Sequence, residues 1–497
     1  MNRKYLLPLI VGIIGAALMV AGIVSLLVSN SKKESIPGKT LGESEIAASS
    51  VPEKKFEEKP EAKPEKKPEP EQKKADPEKE KREAEIKAVT ELISSGEYAA
   101  AIARIDSYET DDEATSSLLE SLRADAMKKL YDYSTENYGY YISSYDYAAA
   151  AELLEPVTYF FPEDEEIAKI YEMCVSFQNT ELYEGTIEHI FFHPLIAYPE
   201  LAFDGDGNEA GIDSYMATVP EFKAVLEQLY DKGYILIDPH LMYTVNDNGT
   251  VSKREVYVPV GKKPIILSAD NYNFMKYMRE NGMVHGLALD EDGNVVTFTD
   301  DGKGNRIYSD DNEVVSITDR FVREHPDFSY GGFKGVIGLN GYEGTLGYAT
   351  NVPGSKTYEQ DKETVKAIAD RLKKTGWAFA CQSYGHNHYK EKSLKFMKND
   401  VDKWITQVAS LVGETDMYIF PYGEVIPQSD AKLAYMKERG YRFFFGSSQI
   451  PFLYYYKDNV LMTRRSIDGI SLRGWRLKEV LDTASIIDSS RPAKYNN

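Results

Sequence analysis

The residue types that could do chemistry in this 497-residue chain gather in three short segments of its second half and one upstream of them. Leu267-Ser268-Ala269-Asp270-Asn271-Tyr272 sets a carboxylate and an amide directly after an apolar run. Ala380-Cys381-Gln382-Ser383-Tyr384-Gly385-His386 sets an amide and an imidazole four positions apart, and Ile419-Phe420-Pro421-Tyr422-Gly423 supplies a tight turn after another apolar run. Upstream, Ile190-Phe191-Phe192-His193 is an apolar strand that ends in histidine. A carboxylate in such a place can act as a general base, and an imidazole can carry a proton or hold a metal. Taken alone, an Asp-Asn pair after a strand is equally a helix cap or a turn.

In order and spacing these segments resemble the NodB-type polysaccharide deacetylase family, over roughly residues 185–492. The family's first motif is a strand ending in Asp-Asp, its second His-Ser/Thr-x-x-His and its third Arg-x-Pro-x-Gly. The resemblance implies an irregular (β/α) barrel with function at the carboxyl ends of the strands. It implies that Asp270 stands at the catalytic base position and that His386 is a metal ligand. The other two ligand positions hold Asn271 and Gln382, whose amide oxygens are neutral and poor donors to zinc. Ile419 stands where the family has an arginine that orients the base, and Arg464 or Arg465 could supply that charge from a later segment. The late Leu-x-His motif is missing, because His388 is the last histidine. A rearranged site could join His386 and His388 with Asp270 or with the amides, and taking Asp270 as a ligand would leave no base. The resemblance therefore implies no cofactor, with zinc or another divalent metal required only if the protein is active. Tyr272, Phe274, Tyr384, Tyr389 and Tyr422 are the candidate sugar-stacking rings, with Pro421, Gly423 and His193 beside them.

The elements that position these residues read as alternating strands and helices. Strands are predicted over 189–195, 234–237, 264–268, 377–381 and 417–420, and helices over 219–232, 359–375 and 394–412. That alternation argues for parallel βα units in an α/β fold. Between residues 284 and 316, Asp292-Gly293-Asn294 and Gly302-Lys303-Gly304-Asn305 are hairpin turns, and they predict an inserted β-hairpin arm beside the pocket. The acidic turns there, and Asp204-Gly205-Asp206-Gly207-Asn208, have calcium-like oxygen spacing, but turn chemistry accounts for them and the second fails the EF-hand pattern.

Four segments are predicted: an anchor at 1–30, a linker at 31–81, an all-α helical-repeat domain at 82–180 and the barrel at 185–497. Leu6 to Val28 is uncharged and apolar after Arg3 and Lys4, long enough for a hydrocarbon core. It reads as a retained signal anchor of a single-pass membrane protein with its bulk outside the cell. The Lys, Glu and Pro mixture that follows reads as an extended tether. In the helical region Ser94-Ser95-Gly96-Glu97-Tyr98-Ala99-Ala100-Ala101 returns as Ser143-Ser144-Tyr145-Asp146-Tyr147-Ala148-Ala149-Ala150, which predicts stacked hairpins of tetratricopeptide-like type. Tyrosines between Tyr131 and Tyr147 could line a groove for a protein partner, with core packing as the simpler account.

A net charge of −21 repels nucleic-acid phosphate, so nucleic-acid binding is discounted. Cys174 and Cys381 are the only cysteines, which excludes a disulfide framework. The partners implied are a cell-wall or surface N-acetylated polysaccharide and the membrane. Three functions follow: a glycan-binding barrel that has lost its metal chemistry, an active deacetylase with an altered metal site, or a scaffold whose helical repeats do the work.

Overall fold

The structure, a computed structural model, describes residues 77–176 and 179–495. The anchor at Leu6–Val28 and nearly all of the tether lie outside the described residues. Among the described residues no helix is long and apolar enough to cross a membrane.

Five helices come first: α1 Pro77–Ser94, α2 Tyr98–Asp106, α3 Glu113–Ser143, α4 Tyr147–Phe160 and α5 Glu165–Ser176, each packed on the next. The helix begins at Pro77, within the segment assigned to the tether, where a proline and the early acids Glu78 and Glu80 suit a helix start. The repeated sequence marks the two tight turns. Gly96 and Tyr145, at equivalent places in the repeat, both take the left-handed conformation at φ 82° and 60°. After the second turn Asp146 caps α4 by accepting from the Ala149 amide. Ala101, Ala126 and Ala150 are fully buried, which lets neighbouring helices approach closely. With 31 residues α3 is nearly as long as the ~34 of a whole tetratricopeptide unit, so these hairpins have other dimensions. The tyrosines divide: Tyr131 bonds Asp164 and packs on Phe161, Tyr145 packs against the barrel, and Tyr133 and Tyr140 are exposed. The Gly331 amide also donates to the Ser144 carbonyl at 3.0 Å.

The rest is α/β. The strands of its main sheet are β1 Glu188–Phe192, β2 Tyr234–Leu236, β3 Lys263–Ala269, β4 Gly335–Leu339, β5 Trp377–Cys381, β6 Met417–Ile419, β7 Phe443–Ser447, β8 Leu453–Tyr455 and β9 Val460–Ser466. Seven of them close a parallel barrel in the order β1-β3-β4-β5-β6-β7-β9, and β9 returns to β1 with Arg465 beside Ile190. The barrel is splayed at two places near its amino-terminal end. There β2 pairs with the first half of β3, and β8 pairs antiparallel with the first half of β9.

Period-two alternation sorts each strand. On β3, Ile265, Leu267 and Ala269 face the helical layer, while Ile266 enters the lower lumen with Val336, Ala380, Ile419, Phe443, Phe445 and Met462. Continuing the inward column upward brings Ser268 and then Asp270 on β3, and Arg464 and Ser466 on β9. The lumen is thus apolar at its floor and polar at the carboxyl ends of the strands.

The predicted arm is a three-stranded antiparallel sheet, Gly286–Leu289, Val295–Asp300 and Arg306–Ser309. It packs on helix Tyr358–Lys374 and contributes nothing to the cavity described below, which corrects its expected position beside the pocket. Its carboxylates serve its own turns: Asp290 accepts from the Asp292 and Asn294 amides, and Asp301 from those of Lys303 and Asn305. Asp204 and Asp206 do the same for their loop. Cys174 and Cys381 are free and buried in different parts of the molecule.

Candidate functional site

A cavity of about 950 Å³ opens at the carboxyl ends of the strands, with Asp270, Arg464, Asn271 and Gln382 at its base. Asp270 and Arg464 meet although β1 separates their strands, and the guanidinium carbon lies 4.3 Å from the centre of the Phe191 ring on β1. Arg464 grips the carboxylate with two bonds, Nη1 to Oδ1 at 2.6 Å and Nη2 to Oδ2 at 2.9 Å. The two side chains are 1% and 3% exposed. Fork-to-fork geometry of this kind offsets the desolvation that burying both charges costs.

The amides are equally committed. The Gln382 Oε1 accepts from the Asn271 backbone amide at 3.0 Å, and its Nε2 donates to Asp270 Oδ2 at 3.2 Å. A backbone N–H only donates and this carboxylate only accepts, so the amide can sit one way round. Asn271 Oδ1 accepts from Asn340 Nδ2 at 3.2 Å. Oxygens that a divalent cation would need therefore already face hydrogen-bond donors, and a permanent cation occupies both oxygens of Asp270. The residues present do not fit a zinc centre. Among the described residues no group of three His, Cys, Asp or Glu could hold a metal ion.

His386 lines the same cavity. Burial, and the His193 imidazole nearby, push its pKa down to about 4, so the ring is neutral at pH 7. The loop that carries it is held by Asp400, which accepts from the Tyr384 and Gly385 amides at 2.7 and 3.0 Å and from the Tyr389 hydroxyl at 2.6 Å. A Cβ on Gly385 would meet Asn387 Nδ2 at 2.4 Å and displace that side chain from Asp400. His193 also reaches the cavity, and its Nδ1 is 3.0 Å from the Tyr215 carbonyl. A carbonyl only accepts, so a proton is assigned to Nδ1. His388 lies flat on Tyr422, 3.6 Å and 6° away, with Nδ1 3.0 Å from Glu424 Oε1. Those two contacts turn it away from Asp270 and leave the rearranged His386–His388–Asp270 site without its second imidazole.

The candidate stacking rings divide. Tyr272 is fully buried, with its hydroxyl on Glu313 at 2.9 Å, and Phe274 is buried against it. Tyr389 is inside on Asp400, and Tyr384 packs between Gly341 and the Lys403 ammonium. None of these four lines the cavity, because each is on the core side of its turn. Pro421 is buried beneath the turn, Gly423 lines the cavity, and Tyr422 stands 57% exposed at its rim. Tyr215, Tyr277 and Tyr342, also exposed, complete an aromatic rim that the sequence reading missed, as it missed Asn340. Burial and the nearby Tyr422 push the Tyr277 hydroxyl up to about 12.

Four non-glycine residues of this constellation take left-handed backbone: Asn271 at φ 61°, Ser383 at 58°, His386 at 48° and Tyr422 at 57°. Such conformations cost on the order of 1 kcal/mol or more each and persist where surroundings over-determine them, commonly at functional sites.

No family model matches the chain, and no curated protein matches it. Two solved structures are similar to it. The Streptococcus pyogenes deacetylase PplD in complex with acetate aligns at 12% identity and TM-score 0.31, covering 57% of this chain and 92% of that one. A protein of Mycobacterium smegmatis assigned as a polysaccharide deacetylase aligns at 14% identity and TM-score 0.19, covering 26% of this chain and 40% of that one. At that identity and TM-score neither likeness carries an argument about what this chain binds or does.

Proposed function

We propose that the barrel is a deacetylase-like glycan-binding module without metal-dependent deacetylation, borne outside the cell on the Leu6–Val28 anchor and directed to an N-acetylated wall or surface polysaccharide. The observation that carries the reading is the connected hydrogen-bond and charge network of Asp270, Arg464, Gln382, Asn271 and Asn340 beneath a tyrosine-rimmed cavity. Arg464 stands to Asp270 as the family's arginine stands to its base, so what the site lacks is a ligand set for metal, Asn271 and Gln382 being amides, whereas rings and amides suit a sugar's C–H faces and its acetamide group. The neutral His386 adds an acceptor for sugar hydroxyls.

The test uses the purified chain: bound metal, acetate released from N-acetylglucosamine oligomers, and oligomer binding by calorimetry. Substoichiometric metal, no acetate and binding that Tyr422→Ala weakens are the expected results. Stoichiometric zinc with acetate release abolished by Asp270→Ala would replace this reading with that of an active deacetylase.

A further inference from the structure

A second aromatic surface starts at the lip of the cavity. From Ser447, which lines the cavity, the chain turns down the outside of the barrel into β8. The turn is tied to the cavity wall by Ser448 N–H on the Arg464 carbonyl at 2.9 Å and by Gln449 Nε2 on Ser466 Oγ at 2.9 Å. Every second residue from there faces solvent: Ile450, Phe452, Tyr454 and Tyr456 are 51%, 44%, 52% and 36% exposed. Their rings form a ladder. Phe452 and Tyr454 lie 6.2 Å apart at 26°, and Tyr454 and Tyr456 6.2 Å apart at 32°. Phe452 also edges a second cavity of about 540 Å³, shared with Tyr183 and Arg254.

Strand geometry alone sets the spacing of these rings, yet it does not require them to be aromatic and exposed. Large apolar rings in a row on a surface cost solvation unless something covers them. At ~3.3 Å per residue the row extends about 20 Å from the cavity lip, far beyond the reach of one sugar unit. We propose that Phe452, Tyr454 and Tyr456 form a track for an extended, neutral polysaccharide whose end or branch enters the cavity, the apolar faces of successive rings stacking on successive side chains. The occupant is identified by continuity with the cavity, and to that extent the proposal rests on the glycan reading above. It adds that the recognised ligand is a polymer and that its length is read outside the barrel.

The experiment compares the full chain with two variants, Tyr422→Ala and Phe452→Ala/Tyr454→Ala/Tyr456→Ala. The probes are the N-acetylglucosamine disaccharide, by calorimetry, and insoluble N-acetylglucosamine polymer, by retention. Melting temperature and sedimentation serve as controls. The track predicts that the triple variant keeps disaccharide affinity and the wild-type melting temperature while polymer affinity falls on the order of tenfold or more. Unchanged polymer retention in the triple variant, with loss in Tyr422→Ala, would overturn the track and leave the cavity reading intact. Polymer retention that depends on the triple but not on Tyr422 would uphold the track and overturn the cavity reading. Self-association of the wild type that the triple variant abolishes would reassign the ladder to contact between copies, and absence of any retention by the wild type would overturn both.

Discussion

Asp270 and Arg464 meet with almost no solvent between them, so the pair's worth shows when one member is removed. Arg464→Met leaves a carboxylate without its counter-charge in a buried site and should cost about 3–5 kcal/mol in chemical denaturation. Asp270→Leu with Arg464→Met should cost much less than the sum of the single changes, the signature of a coupled pair. Installing ligands tests the correspondence with the deacetylase motifs. Asn271→Asp with Gln382→His should raise zinc affinity, measured by competition with a chromogenic chelator, because it adds one charge and one imidazole beside His386. Unaltered affinity would mean that these positions do not converge on a metal. His386 has a pH consequence of definite sign. Its folded pKa of about 4 lies below the ordinary histidine value, so its neutral form is retained down to low pH while the unfolded chain takes up the proton first. Stability should fall between about pH 6.5 and 4, and His386→Gln should reduce that fall.

At the scale of elements, the barrel strands approach too closely for side chains at certain points. A Cβ on Gly338 of β4 would lie 2.8 Å from Ile419 Cδ1 and 3.2 Å from Asp270 Oδ1. Gly338→Ala should destabilise by about 1–3 kcal/mol and weaken glycan binding as well, since β4 would be pushed off the floor of the site. The same glycines explain what was and was not legible. β3, β5 and β6 are unbroken apolar runs, and reading them from sequence placed their ends within a residue or two. Gly335-Val336-Ile337-Gly338-Leu339 reads as interrupted, because glycine's role here is to admit Trp377 and Ile419 and not to turn the chain. With β4 unread, Asn340 at its end went unread too. Arg464 was one of two guesses, because strands β3 and β9 are brought together only by barrel closure. The stacking rings were misplaced because a tyrosine beside a motif gives no sign of which side of the turn it takes. Tyr272 went to Glu313, and the rim came from loops with no periodicity.

Across the whole molecule, ionic clamps join distant parts of the chain. Arg491, fully buried, bonds both oxygens of Glu221, the side chain and carbonyl of Asp213 and the Met216 carbonyl. It fixes the Tyr215 wall of the cavity from the far end of the sequence, and Arg491→Ala should cost about 3–5 kcal/mol because Glu221 loses its buried counter-charge and Asp213 keeps only Arg473. At the opposite end of the barrel His240 sits between Asp238 at 2.6 Å and Asp416 at 3.0 Å, and those two carboxylates raise its pKa to about 10 against the desolvation that opposes them. A raised folded value means that its contribution is complete below about pH 6.5 and is lost as pH climbs toward 10. Thermal melts of His240→Gln should therefore show a shallower alkaline decline than the wild type. Closure of the barrel also carries a temporal consequence. Arg465 and Glu188 pair across 277 positions, so β1 leaves the ribosome long before its β9 neighbour exists. Until then one border of the nascent sheet stays open and Asp270 lacks its guanidinium. A product cut short ahead of β9 would carry both faults together, and cellular proteolysis would find it before any ligand could.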